Sequence, residues 1–286
     1  MENIPDPVEI VMPGDPDART AHTLKSREYE ALIIAQPPWV ARNTIIDCEI
    51  AEIRPPCVLV SANGFWPGAY DIPGRSIGSI SVTCAVGNID DRLVYSPRTS
   101  GYIVGPSSAY VEYFSKCAQN SGLACEIVGD CRTAAYSKCL VNIPLTLQYG
   151  LSDCGESQLI SNPDVVFREA LQIVEFTGLM KSLDVEIGPT PGFDSIGLIQ
   201  ASRRVADIPD DPVAMDNLRG ILRNWRQGRN PALGVKIRRE RGRTAVEEIE
   251  WVWGRILTRA RTVGASLPVT ESLYARVLSD SSGGAR

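Results

Sequence analysis

Lys138 and Asn142 lie four residues apart in the segment YSKCLVNIPLT. At this spacing two side chains leave the same face of an α-helix and come close together. The residues around the pair are apolar: Leu140, Val141, Ile143 and Leu145. An ammonium group beside apolar packing costs free energy unless it has a partner or a chemical role. Its available chemistry is proton donation or electrostatic stabilisation. The alternative is a lysine that reaches the surface beside an asparagine that caps the helix.

The segment around this pair follows an ordered pattern over residues 114–150. A helical stretch is followed by a Gly-Asp turn, an aromatic residue, the lysine and asparagine, and then Ile-Pro-Leu-Thr. This order resembles the start of the helical domain in ketopantoate reductases (2-dehydropantoate 2-reductases). The matching residues are Tyr136, Lys138, Asn142, Pro144, Leu145 and Thr146.

Two further stretches resemble the same family. The segment TAVEEIEWVWGRILTRARTVGASLPVTESLYARV is similar to the family's closing signature. Its matching residues are Glu248, Gly254, Gly264 and Pro268. Asn63-Gly64 in VLVSANGFWPG resembles the Asn-Gly pair that ends a strand of the family's nucleotide-binding sheet. The ordered matches extend over about residues 29–278, so the resemblance implies an NADPH-dependent reductase of 2-oxo acids, with 2-dehydropantoate as the default substrate.

The resemblance also implies roles for individual residues. Lys138 would protonate or electrostatically steer the carbonyl oxygen of the 2-oxo acid as hydride arrives, and Glu248 would bind the substrate hydroxyl and tune that lysine. Asn142 and Thr146 would contact the substrate. The cofactor-binding residues would be Asn63, Gly64 and Ala85.

The amino-terminal part departs from the family pattern. Ketopantoate reductases open with a strand, a Gly-x-Gly-x-x-Gly turn and a helix whose amino end binds the dinucleotide phosphates. This chain contains no such motif and enters the family pattern roughly 65 residues in, which would remove strands and the phosphate loop of the nucleotide-binding domain. Gln36 or Pro37 stands where the family has a lysine. NADP binding is therefore expected from the resemblance and opposed by the missing glycine motif.

Further departures affect the substrate site. The family's second asparagine becomes Thr146 by spacing, or it is lost through a short deletion before Pro144. The serines that bind the substrate carboxylate in the family are absent from PALGVKIRR. Arg238 or Arg239, each able to form a bidentate pair, could bind the carboxylate instead, as could Lys236. Near the family's glutamate a two-residue insertion leaves Glu247 or Ala245 as alternatives to Glu248.

These observations leave three functions open. The first is a 2-oxo-acid reductase. Its missing amino-terminal segment would reflect an incomplete gene model, or its remaining sheet would bind the cofactor weakly. The second is a cofactor-independent lyase, isomerase or cyclase that uses Lys138 and Glu248 as acid and base. The third is a non-catalytic relic that acts as a binding subunit and covers an exposed sheet edge by association.

Residue patterns predict an α/β domain followed by an all-helical domain. Strands are predicted at 8–12, 31–36, 57–63, 79–86, 93–96 and 101–105, and the continuous apolar runs at 31–36 and 57–63 are typical of parallel strands. After about residue 108 apolar residues recur at helical spacing, with Asn162 and Asp211 as caps before prolines. We therefore expect an incomplete Rossmann-like domain at 1–107. A helical domain of the 6-phosphogluconate-dehydrogenase-like type would follow at 108–280, with a disordered tail at 281–286.

Composition limits the partners. Of the 286 residues, 44% are hydrophobic and 22% charged, with a net charge of −5 that argues against non-specific nucleic-acid binding. The sequence offers no membrane span or targeting peptide. With His22 the only histidine and no Cys-x-x-Cys pair among eight cysteines, a zinc site is not expected. We expect a cytoplasmic protein with reduced thiols, and an incomplete sheet edge favours a homodimer.

Overall fold

The computed structural model describes residues 31–34, 38–50, 52, 57–61, 77–82, 86–89, 92–95, 101–143, 145–151, 154, 156–227 and 249–283. The predicted strand at 8–12 lies outside these residues.

A five-stranded sheet forms the first part of the fold, with strand order β1-β2-β3-β6-β7. Its strands are β1 (Ala31–Ile34), β2 (Cys57–Val60), β3 (Ile77–Val82), β6 (Gly101–Gly105) and β7 (Ala124–Ile127). β1, β2 and β3 are parallel, β6 is antiparallel to β3, and β7 is parallel to β6. A separate two-stranded sheet pairs β4 (Val86–Ile89) with β5 (Arg92–Tyr95). The three parallel strands thus bring their carboxyl ends to one edge of the sheet.

The two apolar runs form the expected parallel pair. β2 is buried at all four positions, as expected for a strand covered on both faces. β1 is covered less completely than expected, because Ile34 is buried but Ile33 is 49% exposed. β4 and β7 were not predicted. β7 consists of Ala-Cys-Glu-Ile, with three of its four residues exposed, so it lacks the apolar pattern of a buried strand.

Ten α-helices and one π-helix are described. They are α1 (Pro38–Ile50), α2 (Ala109–Asn120), α3 (Cys131–Asn142), α4 (Thr146–Gly150), α5 (Glu156–Ser161), α6 (Pro163–Ser182), α7 (Ser195–Asp207), α8 (Pro212–Gln227), the π-helix (Glu250–Gly254), α9 (Arg255–Thr262) and α10 (Pro268–Gly283). Among the described residues, no helix combines the length and the apolar character needed to cross a membrane.

Two predicted caps are confirmed. The side-chain oxygen of Asn162 accepts hydrogen bonds from the main-chain N–H groups of Asp164 and Val165 at the start of α6, at 3.0 and 3.4 Å. Asp211 accepts from Val213 and Ala214 at the start of α8, at 2.9 and 3.1 Å. In both helices proline follows the cap, where its missing N–H costs nothing.

The helical part packs around α6. This 20-residue helix has a row of fully buried side chains: Val166, Ala170, Ile173 and Phe176. Their spacing of three and four residues creates one apolar face. Helices α7, α8 and α10 pack against α6, so it is the centre of the larger hydrophobic core.

A carboxylate from α6 holds the start of α10. Oε1 of Glu175 accepts a hydrogen bond from Val269 N at 2.8 Å. Oε2 accepts from Thr270 N at 3.0 Å and from the Thr270 hydroxyl at 2.7 Å. The first N–H groups of a helix have no partner within it and favour negative charge. Glu175 therefore supplies the cap of α10 from a distant point in the sequence.

The architecture confirms the predicted fold class, an α/β sheet followed by a helical part. β7 lies beyond residue 108, so the sheet extends further along the chain than the predicted helical start. Helix α10 continues through Gly283, into the segment 281–286 that we expected to be disordered. The division at residues 107 and 108 stays a prediction.

Candidate functional site

Helix α3, which contains Lys138, lies against β3 and β6. At its start, the Cys131 thiol is hydrogen-bonded to the carbonyl oxygen of Ile77 at 2.9 Å. Further along, the hydroxyl of Ser81 donates to the carbonyl oxygen of Ala134 at 3.4 Å. Both contacts follow the same order in the two elements, so α3 runs in the direction of β3, towards the carboxyl ends of the parallel strands.

Lys138 lies one helical turn beyond Ala134 on the sheet-facing side of α3. Ala134 is fully buried and packs in the sheet cluster with Ile103 and Val128. A residue four positions later continues this face, which places Lys138 past the point where β3 meets the helix. The lysine is only 5% exposed. Its ammonium-bearing side chain is therefore buried near the edge where open α/β sheets bind ligands.

The amino end of α3 is fixed by Asp130. Its carboxylate accepts a hydrogen bond from Thr133 N at 2.6 Å. Burial acts to raise the pKa of Asp130, but this hydrogen bond and the charge of Arg132 outweigh it and lower the pKa. A carboxylate at this position also matches the positive end of the helix. The register of α3, and with it the position of Lys138, is set at its first turn.

The residues next to Lys138 are buried in the helical core. Burial raises the pKa of the Cys139 thiol to about 12, although the positive charge of Lys138 acts in the opposite direction. Ser137 is fully buried, and its hydroxyl accepts a hydrogen bond from Gly188 N at 2.9 Å. This bond ties the loop between α6 and α7 to the lysine helix. The lysine thus stands among groups that have little access to water.

The backbone turns sharply after Asn142. Leu145 is fully buried and has φ 64°, a left-handed conformation that costs energy in a residue with a branched side chain. The Thr146 hydroxyl donates to the main-chain carbonyl oxygen of Asn142, and Thr146 N donates to Ile143 O at 3.2 Å. The turn brings Thr146 back against the end of α3. Sequence reasoning missed this conformation, because leucine gives no signal for positive φ.

Three of the predicted site residues therefore lie along one short path: Lys138, Asn142 and Thr146. Asn142 and Thr146 are partly exposed, whereas Lys138 is buried. The other predicted site residues lie outside the described residues: Asn63, Gly64, Ala85, Arg238, Arg239 and Glu248. Their placement relative to Lys138 stays a prediction.

A π-helix follows directly after the predicted glutamate region. It covers Glu250–Gly254 and continues into α9. Trp253 is 1% exposed and Ile256 is fully buried, so one side of this helical run packs into the core. Leu257 and Ala260 of α9 belong to the same hydrophobic core as Tyr136 of α3. A π-helical turn is uncommon and occurs frequently at functional sites.

Within the described ranges, histidine, cysteine, aspartate and glutamate side chains form no group suited to hold a metal ion. The described part of the candidate site consists of the amine, amide and hydroxyl groups of Lys138, Asn142 and Thr146.

Solved structures share this architecture over most of the chain. No protein-family model matches the sequence, and no curated protein matches it. A dimeric ketopantoate reductase from Staphylococcus aureus is 13% identical, with a TM-score of 0.58 over 90% of this chain and 79% of that one. A 2-dehydropantoate 2-reductase from Methylococcus capsulatus is 13% identical, with a TM-score of 0.60 over 91% and 77%.

A D-mandelate dehydrogenase, in a ternary structure with NADH and anilino(oxo)acetate, is also similar. It is 16% identical, with a TM-score of 0.58 over 88% of this chain and 90% of that one. At these identities the likeness concerns the fold. The chain therefore has the fold of the ketopantoate reductases, as its ordered sequence motifs predicted.

Proposed function

We propose that the protein is an oxidoreductase that reduces the carbonyl group of a 2-oxo acid with hydride from NADPH, with 2-dehydropantoate as the default substrate. The observation that carries this proposal is the buried Lys138 on the sheet-facing side of α3, beyond the end of β3. Its support from outside the chain is the shared fold with ketopantoate reductases and with a dehydrogenase solved with NADH and anilino(oxo)acetate.

The role proposed for Lys138 follows from the charge that forms during reduction. When hydride reaches a carbonyl carbon, negative charge develops on the oxygen and must be neutralised. An ammonium group can do so by its charge or by donating a proton, so that the product is a neutral hydroxyl group. Little water reaches a buried ammonium group, and its electrostatic effect is correspondingly stronger than it would be at the surface.

The remaining site residues are assigned on the same proposal. Asn142 and Thr146 would orient the substrate, and Glu248 would bind its hydroxyl group and pair with the lysine. Arg238 or Arg239 would bind the substrate carboxylate in a bidentate way. Association into a homodimer is proposed as well, in line with the dimeric reductase from Staphylococcus aureus.

A reduced nicotinamide nucleotide would supply the hydride. The carboxyl edge of β1, β2 and β3 fits such a ligand in its geometry, because ligands of open α/β sheets bind there. The described ends of these strands carry no lysine or arginine for the phosphates. The proposed cofactor-binding residues Asn63, Gly64 and Ala85 lie outside the described residues. We therefore assign only Lys138 to the chemical step.

Substitution of the lysine tests this proposal. We expect Lys138→Met to lower the rate of NADPH oxidation with 2-dehydropantoate by about 10²–10⁴-fold, measured by absorbance. Lys116→Met is the matched control, because Lys116 is an exposed lysine of the preceding helix, and its rate should equal that of the wild type. Lys138→Arg separates electrostatic stabilisation from proton donation, because arginine keeps the positive charge but is a poor proton donor.

Two results would reject the proposal. A full rate in Lys138→Met would remove the lysine from the mechanism. Failure of the wild-type protein to oxidise NADPH or NADH with any of a series of 2-oxo acids would reject the reductase itself.

A second candidate is a protein that does not use a dinucleotide. It would be a cofactor-independent enzyme based on Lys138 and Glu248, or a non-catalytic binding subunit. The supporting observation is the buried Lys138, an amine that can act in acid–base catalysis without a bound dinucleotide. Measurement of NADPH binding decides between this candidate and the reductase.

A further inference from the structure

A groove of about 500 Å³ lies between the π-helix, α9 and α10. Its volume is in the range of small-molecule sites, about 300–1,000 Å³. None of its lining residues belongs to the sheet or to α3. Its principal side chains are Trp251, Arg255, Leu257 and Tyr274.

A stacked arginine gives the groove its charge. The guanidinium carbon of Arg255 lies 4.4 Å from the centre of the Trp251 ring, a distance typical of cation–π contacts. This contact holds the guanidinium group over the ring. Arg261, also in the groove, is paired with Glu271 at 3.4 Å, whereas Arg255 forms no ion pair with the described residues. Within the part of the chain that the structure describes, Arg255 is therefore a cation over an aromatic ring with no anionic partner.

Tyr274 of α10 places its hydroxyl group in the same groove, beside Gly254 of the π-helix. If Gly254 carried a Cβ atom, that atom would lie 2.9 Å from the hydroxyl oxygen of Tyr274. A glycine at this position thus lets the tyrosine approach the helix. Burial raises the pKa of Tyr274, and the negative charge of Glu250 adds to the effect. The hydroxyl stays protonated at neutral pH and can donate a hydrogen bond.

Glu250 also limits which anion fits. Its exposed carboxylate lines the groove and repels further negative charge. A ligand with a single negative charge would therefore be favoured over a dianion such as phosphate. The apolar surfaces of Trp251 and Leu257 favour a ligand that also carries an apolar group.

We propose that this groove is a binding site for a small monocarboxylate with an aromatic or branched apolar body. The carboxylate would form a bidentate pair with Arg255 and accept a hydrogen bond from Tyr274. The apolar body would pack against Trp251 and Leu257. The site is an accessory one, independent of the reaction proposed at Lys138.

Titration calorimetry with benzoate tests the site, and inorganic phosphate serves as the comparison anion. We expect benzoate to bind the wild-type protein and phosphate to bind at least tenfold more weakly. Arg255→Gln should weaken benzoate binding by about 10–100-fold, as loss of a charged bidentate contact predicts. Arg255→Lys keeps the positive charge but lacks the planar guanidinium group. Its affinity for benzoate should lie between those of the wild type and Arg255→Gln. Arg276→Gln is the matched control, because Arg276 is an exposed arginine of α10 outside the groove.

A second variant tests the geometry without removing charge. Gly254→Ala should displace the Tyr274 hydroxyl and weaken benzoate binding several-fold, while alanine remains compatible with a helix. Far-ultraviolet circular dichroism would verify that each variant is folded. Lys138→Met should bind benzoate as tightly as the wild type, which separates this site from the proposed reductase site.

Three outcomes would overturn the inference. They are the absence of benzoate binding to the wild-type protein, equal binding of phosphate, and unchanged benzoate binding in Arg255→Gln. Loss of benzoate binding in Lys138→Met would instead assign the ligand to the α3 region and would also overturn the separate groove site.

Discussion

At the scale of single residues, burial sets the chemistry of the α3 segment. Lys138 is 5% exposed and Cys139 is 1% exposed, and their neighbour Tyr136 also has a raised pKa because of burial. The sequence predicted the lysine and asparagine pair, because spacing of i and i+4 is a local property of helices. It could not predict the left-handed Leu145 that follows, because that conformation depends on the surrounding core.

The Cys139 thiol predicts a dependence of stability on alkaline pH. Its pKa is raised from 9.0 to about 12 in the folded protein, so the unfolded chain loses its proton first. The stabilising contribution is complete below pH 9 and is lost as the pH rises towards 12. For one such group the slope approaches about 1.4 kcal/mol per pH unit.

Urea denaturation between pH 8 and about pH 10 measures this slope. We expect the free energy of unfolding to fall with pH in the wild-type protein and to fall less steeply in Cys139→Ala. Below pH 10 the Tyr136 hydroxyl contributes little to this slope, since its pKa in the unfolded chain is 10.0. Identical slopes in the two proteins would show that Cys139 is accessible to ionisation.

At the scale of helices and strands, features that depend on neighbouring residues in the sequence were predictable. Features that depend on distant residues were not. Asn162 and Asp211 cap their helices through residues two or three positions away, so their role is visible in the sequence. Glu175 caps α10 from 95 residues away along the chain. No local pattern contains that information. β7 was missed for a similar reason: it is a strand because β6 lies beside it.

Replacing Glu175 should destabilise the attachment of α10. We expect Glu175→Gln to lower the free energy of unfolding by about 1–3 kcal/mol, because it removes a charge that accepts several hydrogen bonds. Glu271→Gln is the matched control in the first turn of the same helix, where the carboxylate is exposed and its salt bridge contributes about 0–1 kcal/mol. Urea or thermal denaturation measures both. Equal effects would remove the special role of Glu175.

At the scale of the whole molecule, the order of sheet and helices was predictable because the hydrophobic period changes along the chain. The continuous runs of β1 and β2 predicted parallel strands, and the helical spacing predicted α6 and α8. Of the predicted site, Lys138, Asn142 and Thr146 lie in the described residues, and their roles stay predictions. Glu248, Arg238 and Arg239 stay predictions, since they lie outside the described residues.

Binding of NADPH tests whether the molecule as a whole retains a dinucleotide site. A ligand that binds only the native state raises the unfolding free energy by about 2.7 kcal/mol at one hundred times its dissociation constant. On the proposed function we therefore expect millimolar NADPH to raise the melting temperature by several degrees, as measured by differential scanning fluorimetry. AMP at the same concentration is the control for nonspecific nucleotide effects. An unchanged melting temperature would favour the cofactor-independent candidate.

One helix belongs to both halves of the protein. Through Ala134, α3 packs with the sheet, and through Tyr136, Cys139 and Leu140 it packs in the helical core. If the sheet and the helical core moved apart as rigid bodies, α3 would lose its packing against one of them. Lys138 therefore stands on the helix that joins the sheet to the helical core.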